Sequence, residues 1–266
     1  MILARIHVRL VAALAAALAA SGALAGGGPS ACQPDFPAVP IARLQAPNSQ
    51  AQPIYAVRAV HDPNGTGRFY MGREIAQVMG AGGMAWLDRP DREGEEHPDV
   101  VMDALGLHGG EVIADLGAGS GYFTFRLAAK VGMTGKVFAV DIQDEMLAAI
   151  RQRAADLGVR NVEEVKATEA DPKLPTGAVD LVLLVDVYHE LAYPYEVMSK
   201  VREALKPGGR VVFVEYRKED PSVLIKEVHK MSVAQLEKEM KVVGLVRAQI
   251  VEALPSQHIV IFEKRE

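Results

Sequence analysis

The sequence predicts an α/β fold, a mostly parallel sheet covered by helices on both faces. Short apolar runs alternate with stretches of helical periodicity from Val112 to the C-terminus, the pattern of consecutive strand–helix–strand units. No internal repeat competes with that reading. With 49% hydrophobic and 24% charged residues, the 266-residue chain suits one large or two small globular domains rather than disorder.

Met1 to Ala25 read as a segment outside the fold. Arg5, His7 and Arg9 precede an apolar run from Leu10 to Ala20, and Ala23-Leu24-Ala25 then meets Gly26-Gly27-Gly28. Basic, then apolar, then A-x-A is the order of a secretory signal peptide. The expectation is export to the periplasm, with an uncleaved anchor or a cytoplasmic chain as alternatives. The run is too short and too Ala-rich for a membrane span, so none is expected after cleavage. Cys32 follows Pro29-Ser30-Ala31, which lacks the Leu-like residue of a lipoprotein signal, and reads as a lone linker thiol. Residues 26–67 are rich in Pro, Gly, Ala, Gln and Ser and read as a flexible linker.

Residues 68–97 read as a helical lid segment. Phe69, Ile75, Met79, Met84 and Leu87 fall at loosely helical spacing, broken at Gly80-Ala81-Gly82-Gly83. Trp86 in this stretch fits a core position better than a ligand contact, and the charges from Asp88 to Glu96 read as a solvated face. The main domain, 98–266, opens with a helix over Pro98–Leu105, whose proline suits the first turn. Strands are expected at Val112–Leu116, Val137–Val140, Val162–Lys166, Val179–Val185, Arg210–Glu215, Leu245–Val251 and His258–Glu263. Helices are expected at Tyr122–Val131, Glu145–Leu157, Tyr195–Leu205 and Val233–Val243.

Composition narrows the function. Lys and Arg total 29 against 34 Asp and Glu, a net charge of −5. That balance disfavours a nucleic-acid partner, which is gripped through phosphate contacts. One cysteine excludes a disulfide framework, a Cys-rich zinc site and dithiol chemistry. No residues are assigned to a metal.

The strongest local signal is Asp115-Leu116-Gly117-Ala118-Gly119-Ser120-Gly121-Tyr122. A buried strand runs into a glycine turn and a helix begins directly after it. Glycines permit the tight turn and let a ligand approach backbone. A dinucleotide fingerprint spaces its glycines G-x-G-x-x-G to seat a pyrophosphate; here the spacing is G-x-G-x-G. Asp115 sits poorly beside a pyrophosphate but suits an ammonium group. Asp141, ending the next strand, can accept two hydrogen bonds from a ribose diol. A nucleoside with an amino-acid tail and no phosphate fits all three features, and a nicotinamide dinucleotide fits them poorly.

Together with Leu205-Lys206-Pro207-Gly208-Gly209, these motifs resemble the class I S-adenosylmethionine-dependent methyltransferases over about residues 98–266. Asp186-Val187-Tyr188-His189-Glu190 and His229-Lys230-Met231-Ser232 further resemble an uncharacterised bacterial subgroup with exported members. The resemblance implies a three-layer, Rossmann-like, seven-stranded sheet with a reversed final hairpin, and S-adenosylmethionine as cofactor. The cofactor set it implies is Asp115, Gly117, Ala118, Gly119, Gly121, Asp141, Ile142 and Asp186. The family's adenine-binding Asp has no clear match, and Thr168, Glu169 or Asp171 takes its place, with Glu169 favoured.

Methyl transfer from a sulfonium is an in-line displacement, so the protein chiefly positions the reactants and excludes water. His189 is the candidate base, Glu190 the residue orienting it, and Tyr188 a lining of the acceptor site. Each has a plainer reading as a hydrogen-bonded turn or a packed ring. His229 and Lys230 suit an anionic acceptor or a solvated helix start. The expected partner is a small-molecule methyl acceptor; the oligomeric state is left open. The alternatives are a non-catalytic nucleoside-binding protein on the same fold and an NAD(P)-linked oxidoreductase.

Overall fold

The computed structural model describes residues 54–265; the signal segment, Cys32 and most of the expected linker lie outside the described residues. Three antiparallel strands come first, β1 (Tyr55–Val57), β2 (Gly65–Tyr70) and β3 (Arg73–Ala76). Short helices α1 (Met84–Leu87), α2 (Arg92–Glu96) and α3 (Pro98–Ala104) follow. The main domain runs β4 (Val112–Leu116), α4 (Tyr122–Val131), β5 (Lys136–Asp141), α5 (Asp144–Leu157), β6 (Val162–Lys166) and β7 (Val179–Val185). It continues with α6 (Pro194–Ala204), β8 (Leu205–Arg217), β9 (Lys230–Met231), α7 (Val233–Val242), β10 (Leu245–Val251) and β11 (Gln257–Lys264).

The large sheet has the order β10-β11-β8-β7-β4-β5-β6, with the two-residue β9 paired to the end of β8. Strands β4 to β8 pair in parallel, whereas β11 is antiparallel to both β8 and β10. This is the expected three-layer sheet with its reversed hairpin. Side chains alternate across it because successive strand residues point to opposite faces. Val182, Leu184, Val211 and Phe213 enter one buried cluster, while Leu181, Leu183, Val212 and Val214 enter the other. Both faces are therefore dry, as βαβ crossovers require.

Local chemistry sets the helix ends. Gly158, left-handed at φ 65°, caps the C-terminus of α5. At α7 the hydroxyl oxygen of Ser232 accepts a hydrogen bond from the Gln235 amide at 3.1 Å. Pro98 and Pro194 open α3 and α6, where a missing N–H costs nothing.

The N-terminal part departs from expectation. Residues 65–76 form a hairpin rather than the end of a linker and the start of a helix. Met71 and Gly72 both have positive φ, 47° and 102°, at the turn between β2 and β3. The hairpin residues Tyr70, Ile75 and Ala76 are fully buried. The charge run also departs, because part of it is not solvated. Arg92 and Glu96 are buried and paired at 2.8 Å, and the Arg92 guanidinium lies 4.0 Å from the Tyr122 ring centroid.

Candidate active site

Strand order reverses between β4 and β7, and in an open α/β sheet such a reversal leaves a crevice at the carboxyl ends. A cavity of about 600 Å³ occupies it. Its lining includes Gly117 and Gly119 of the glycine loop, Asp141 and Ile142 after β5, Thr168 and Glu169 after β6, and Asp186, His189 and Glu190 after β7. His229 closes it from the segment before β9, and Met79, Trp86, Leu87 and Arg92 from the N-terminal part. The lid segment therefore does form a wall, although Trp86 lines the cavity and is 46% exposed rather than core.

The glycine loop is held by backbone. The Gly117 and Ala118 amides both donate to the Val140 carbonyl, at 2.8 and 3.0 Å. Asp141 completes the clamp: one carboxylate oxygen accepts from the Gly119 amide and the other from the Gln143 amide, each at 2.9 Å. Gly117, Gly119 and Gly121 all have positive φ, 77°, 55° and 83°. A Cβ at Gly117 would stand 2.5 Å from Val187, and one at Gly121 would stand 2.7 Å from Phe125. Gly117 thus keeps the two loops apart, whereas Gly121 serves helix packing and does not line the cavity. Neither does Ala118, which is buried.

Asp115 sits beneath the loop and does not line the cavity. It accepts a 2.6 Å hydrogen bond from the Thr124 hydroxyl. Burial pushes its carboxyl up to about 6, against the pull of that bond. Asp186, by contrast, does line the cavity. One of its oxygens accepts from Gln257 at 2.8 Å, and the other is buried with no partner. Its backbone is left-handed, φ 53°, and burial, then Glu215 and Glu96, raise its carboxyl well above the usual range. Asp141 is also raised by burial, although the amides it accepts from oppose the shift. Of the three candidates after β6, Asp171 is committed elsewhere: Lys173 binds it through both amide and ammonium at 2.8 Å and holds it below the usual range.

At the other end, Tyr188 is a core residue and not the expected lining of the acceptor site. Its ring is fully buried on Phe213 at 5.0 Å, and its hydroxyl donates to Glu239 at 2.6 Å. It does not line the cavity, because those contacts hold it in the core while His189 and Glu190 of the same turn reach the cavity. Arg73 of the hairpin pins that turn, binding Glu239 and the carbonyls of Tyr188 and His189. His189 is 3% exposed, with Nδ1 2.6 Å from a Glu215 carboxylate oxygen. Glu215, not Glu190, orients the ring; Glu190 lies 3.9 Å from Nε2. Burial alone would lower His189, but the carboxylates of Glu215 and then Glu190 and Asp186 hold it above the ordinary imidazole value. Glu190 is raised to about 7 by burial, with His189 opposing. The His229 ring stacks on His189 at 5.0 Å, and burial followed by His189 lowers it to about 4. Lys230 is buried and reaches Glu227 at 3.5 Å rather than the cavity.

Glu215 had a signal in the sequence. It is an acid directly after the apolar run Val211–Val214, toward the carboxyl end of a strand, where ligands bind.

The cavity fits S-adenosylmethionine. Ile142, Met146, Ala167 and Pro172 contribute apolar lining that suits a purine. Asp141 lines the same cavity, the glycine backbone is open, and the unpartnered Asp186 oxygen suits an ammonium. Comparison with known proteins agrees. The model of a methyltransferase domain family matches residues 107–259, more than half of the chain. The ubiquinone/menaquinone biosynthesis C-methyltransferases UbiE of Psychromonas ingrahamii and Salmonella arizonae are 32% and 31% identical over 117 and 119 residues. These matches cover 44% of this chain, which spans about half (47%) of the length of each relative. An S-adenosylmethionine-dependent methyltransferase from Aquifex aeolicus superposes with a TM-score of 0.66 at 26% identity, over 70% of this chain and all of that one. Geranyl diphosphate methyltransferase, solved with S-adenosylmethionine, shares the fold at 16% identity, TM-score 0.51, over 63% of this chain and 84% of its own. A glycine loop clamped by an acid, an apolar lining and a reversed sheet therefore belong to one lineage: this chain is a member of the class I methyltransferase domain family, with S-adenosylmethionine as its cofactor.

Proposed function

We propose that the chain methylates a small-molecule acceptor bound against His189, Glu190 and His229. The observation that carries this reading is the division of one cavity into two chemically different ends. Gly117, Gly119 and Asp141 stand at one, and three nitrogen- and oxygen-bearing side chains at the other. Its volume of about 600 Å³ lies in the range of small-molecule sites.

When bound, the cofactor supplies an activated sulfonium methyl that leaves by in-line displacement. In this reading the Asp141 oxygens use their second lone pairs for the ribose hydroxyls. Ile142 covers a purine face, and Thr168 or Glu169 meets its edge. Asp186 takes the ammonium role first given to Asp115, whose hydrogen bond to Thr124 instead fixes the strand–helix junction. His189, fixed through Nδ1, presents Nε2 to the acceptor. Trp86 and Leu87 exclude water from above. The UbiE names specify carbon methylation, but a match to half of those proteins does not carry an acceptor across.

Calorimetric titration of the full chain with S-adenosylmethionine and S-adenosylhomocysteine, with NADH as control, tests the cofactor end. Micromolar binding of the first two and none of the third is expected. A folded protein silent to both overturns the reading. Export remains part of the proposal on the strength of the basic, apolar and A-x-A order of residues 1–25. Cell fractionation with N-terminal sequencing tests it, and an uncut cytosolic chain refutes it.

A further inference from the structure

We infer that His189, Glu190 and His229 bind one divalent transition-metal ion at the acceptor end of the cavity. Each offers one ligand atom, and these atoms all lie within 4.8 Å of one another. The residues come from two separate turns, Tyr188–Glu190 and Glu227–His229, which meet only because β8 and β9 pair beside them.

Proximity alone is weak, but two further features point to a ligand. The first is the support behind His189. Its Nδ1 contacts a Glu215 oxygen at 2.6 Å, and Glu215 is fully buried and also accepts the Tyr188 amide at 2.8 Å. A carboxylate behind one ring nitrogen fixes the tautomer and aims the other nitrogen, the arrangement usual behind metal-ligating histidines. The second is unmet bonding capacity. His189 is 3% exposed, yet Nε2 has no hydrogen-bond partner among the described residues, Glu190 standing off at 3.9 Å. His229 Nδ1 is itself buried and without a partner. Buried polar atoms are nearly always paired, so the His229 nitrogen calls for a partner, and the cavity that His189 and Glu190 also line can hold one.

The donor set selects the ion. Two imidazoles and one carboxylate suit iron, cobalt, nickel or zinc, whereas magnesium and calcium prefer all-oxygen ligands. Ligand bonds of about 2.0–2.2 Å would bring the donor atoms nearer than they stand. Glu190 is free to take part in that closure, since among the described residues its carboxylate accepts only the Met79 amide, at 3.3 Å. Three protein ligands leave positions open toward the cavity, where an acceptor oxygen would coordinate and lose its proton more readily. Only this last consequence rests on the proposed acceptor placement. It also changes the role of His189, from a base to a ligand.

The test is titration of the chelator-stripped full chain with Co²⁺, followed by visible absorption, and with Zn²⁺, followed by elemental analysis. One equivalent of each and no competition by Mg²⁺ are expected. Affinity should fall at least about 100-fold in His229→Ala and in Glu190→Gln, and about 10–100-fold in Glu215→Gln. S-adenosylhomocysteine affinity, measured on the same samples, reports folding and the cofactor end separately. Native protein that binds S-adenosylhomocysteine but takes up neither ion overturns the metal site and leaves the methyltransferase reading standing. Uptake unchanged in both His229→Ala and Glu190→Gln overturns it as well.

Discussion

The two ends of the cavity are built from different materials. At the cofactor end the shape comes from backbone: three glycines at positive φ, amides turned onto the end of β5, and one carboxylate closing the clamp. The acceptor end is shaped by side chains from remote elements. His189 comes from the turn after β7, Glu215 from β8, and His229 from the segment before β9, while Arg73 of the hairpin braces the turn. Backbone conformation survives sequence change wherever glycine is kept, whereas a side-chain constellation can be altered one residue at a time. One end is therefore suited to a constant ligand and the other to a variable one.

Substitutions can break this contrast or sharpen it. Gly117→Ala should do the most damage, since its Cβ would meet Val187 at 2.5 Å in a left-handed backbone. Cofactor affinity should fall by more than about 100-fold, or roughly 3 kcal/mol, and near-native calorimetry would show that the loop is not shaped by backbone. Glu215→Gln addresses the other end. A glutamine amide donating to Nδ1 moves the His189 proton to Nε2 and removes its lone pair. Turnover should drop about 10–100-fold while cofactor affinity stays within a factor of two. Equal losses in both would merge the two ends.

Asp115→Asn tests whether the acid beneath the loop is structural. With its carboxyl raised from 3.8 to about 6, the folded state holds a proton that the unfolded state has released. Native stability therefore falls as pH rises from about 4 to 6, and the variant escapes that loss. Relative to native it should gain roughly 2–3 kcal/mol between pH 4 and 7. A pH-independent difference in denaturation midpoint would remove the explanation. Asp141→Ala should weaken cofactor binding by about 1.5–3 kcal/mol and also loosen the glycine loop, whose Gly119 amide loses its acceptor. A folded variant with native affinity would take Asp141 out of the site. The smallest effects belong to the rim. Glu169→Ala should cost about 1 kcal/mol of affinity, and Asp171→Ala nothing, because Lys173 already holds Asp171. The reverse order would assign the adenine contact to Asp171.

Much of the cofactor end was legible in advance. Gly117, Gly119, Asp141, Ile142, Glu169 and Asp186 all line the cavity. The strands and helices from Val112 onward fall where the periodicity puts them, within a few residues. Less was legible at the acceptor end. His189 and Glu190 were found from their place after an apolar strand, but Tyr188 turned out to be core and the partner of His189 lies 26 residues away. The hairpin over residues 65–76 replaces an expected linker end and helix start, since its few apolar residues are spaced for neither element clearly. Trp86 and Arg92, expected in the core and in solvent, both line the cavity.

By itself the sequence determined the sheet, the glycine turn and the cofactor class. Each depends on residues acting where they stand, through strand periodicity, through the φ that glycine alone adopts freely, or through an acid at a strand tip. Tertiary structure alone decided which acid faces the ligand, which carboxylate aims His189, and that His229 joins it. Those contacts depend on strand order and on the pairing of β8 with β7, β9 and β11. That register arises from packing across the whole sheet and is written in no single stretch of the chain.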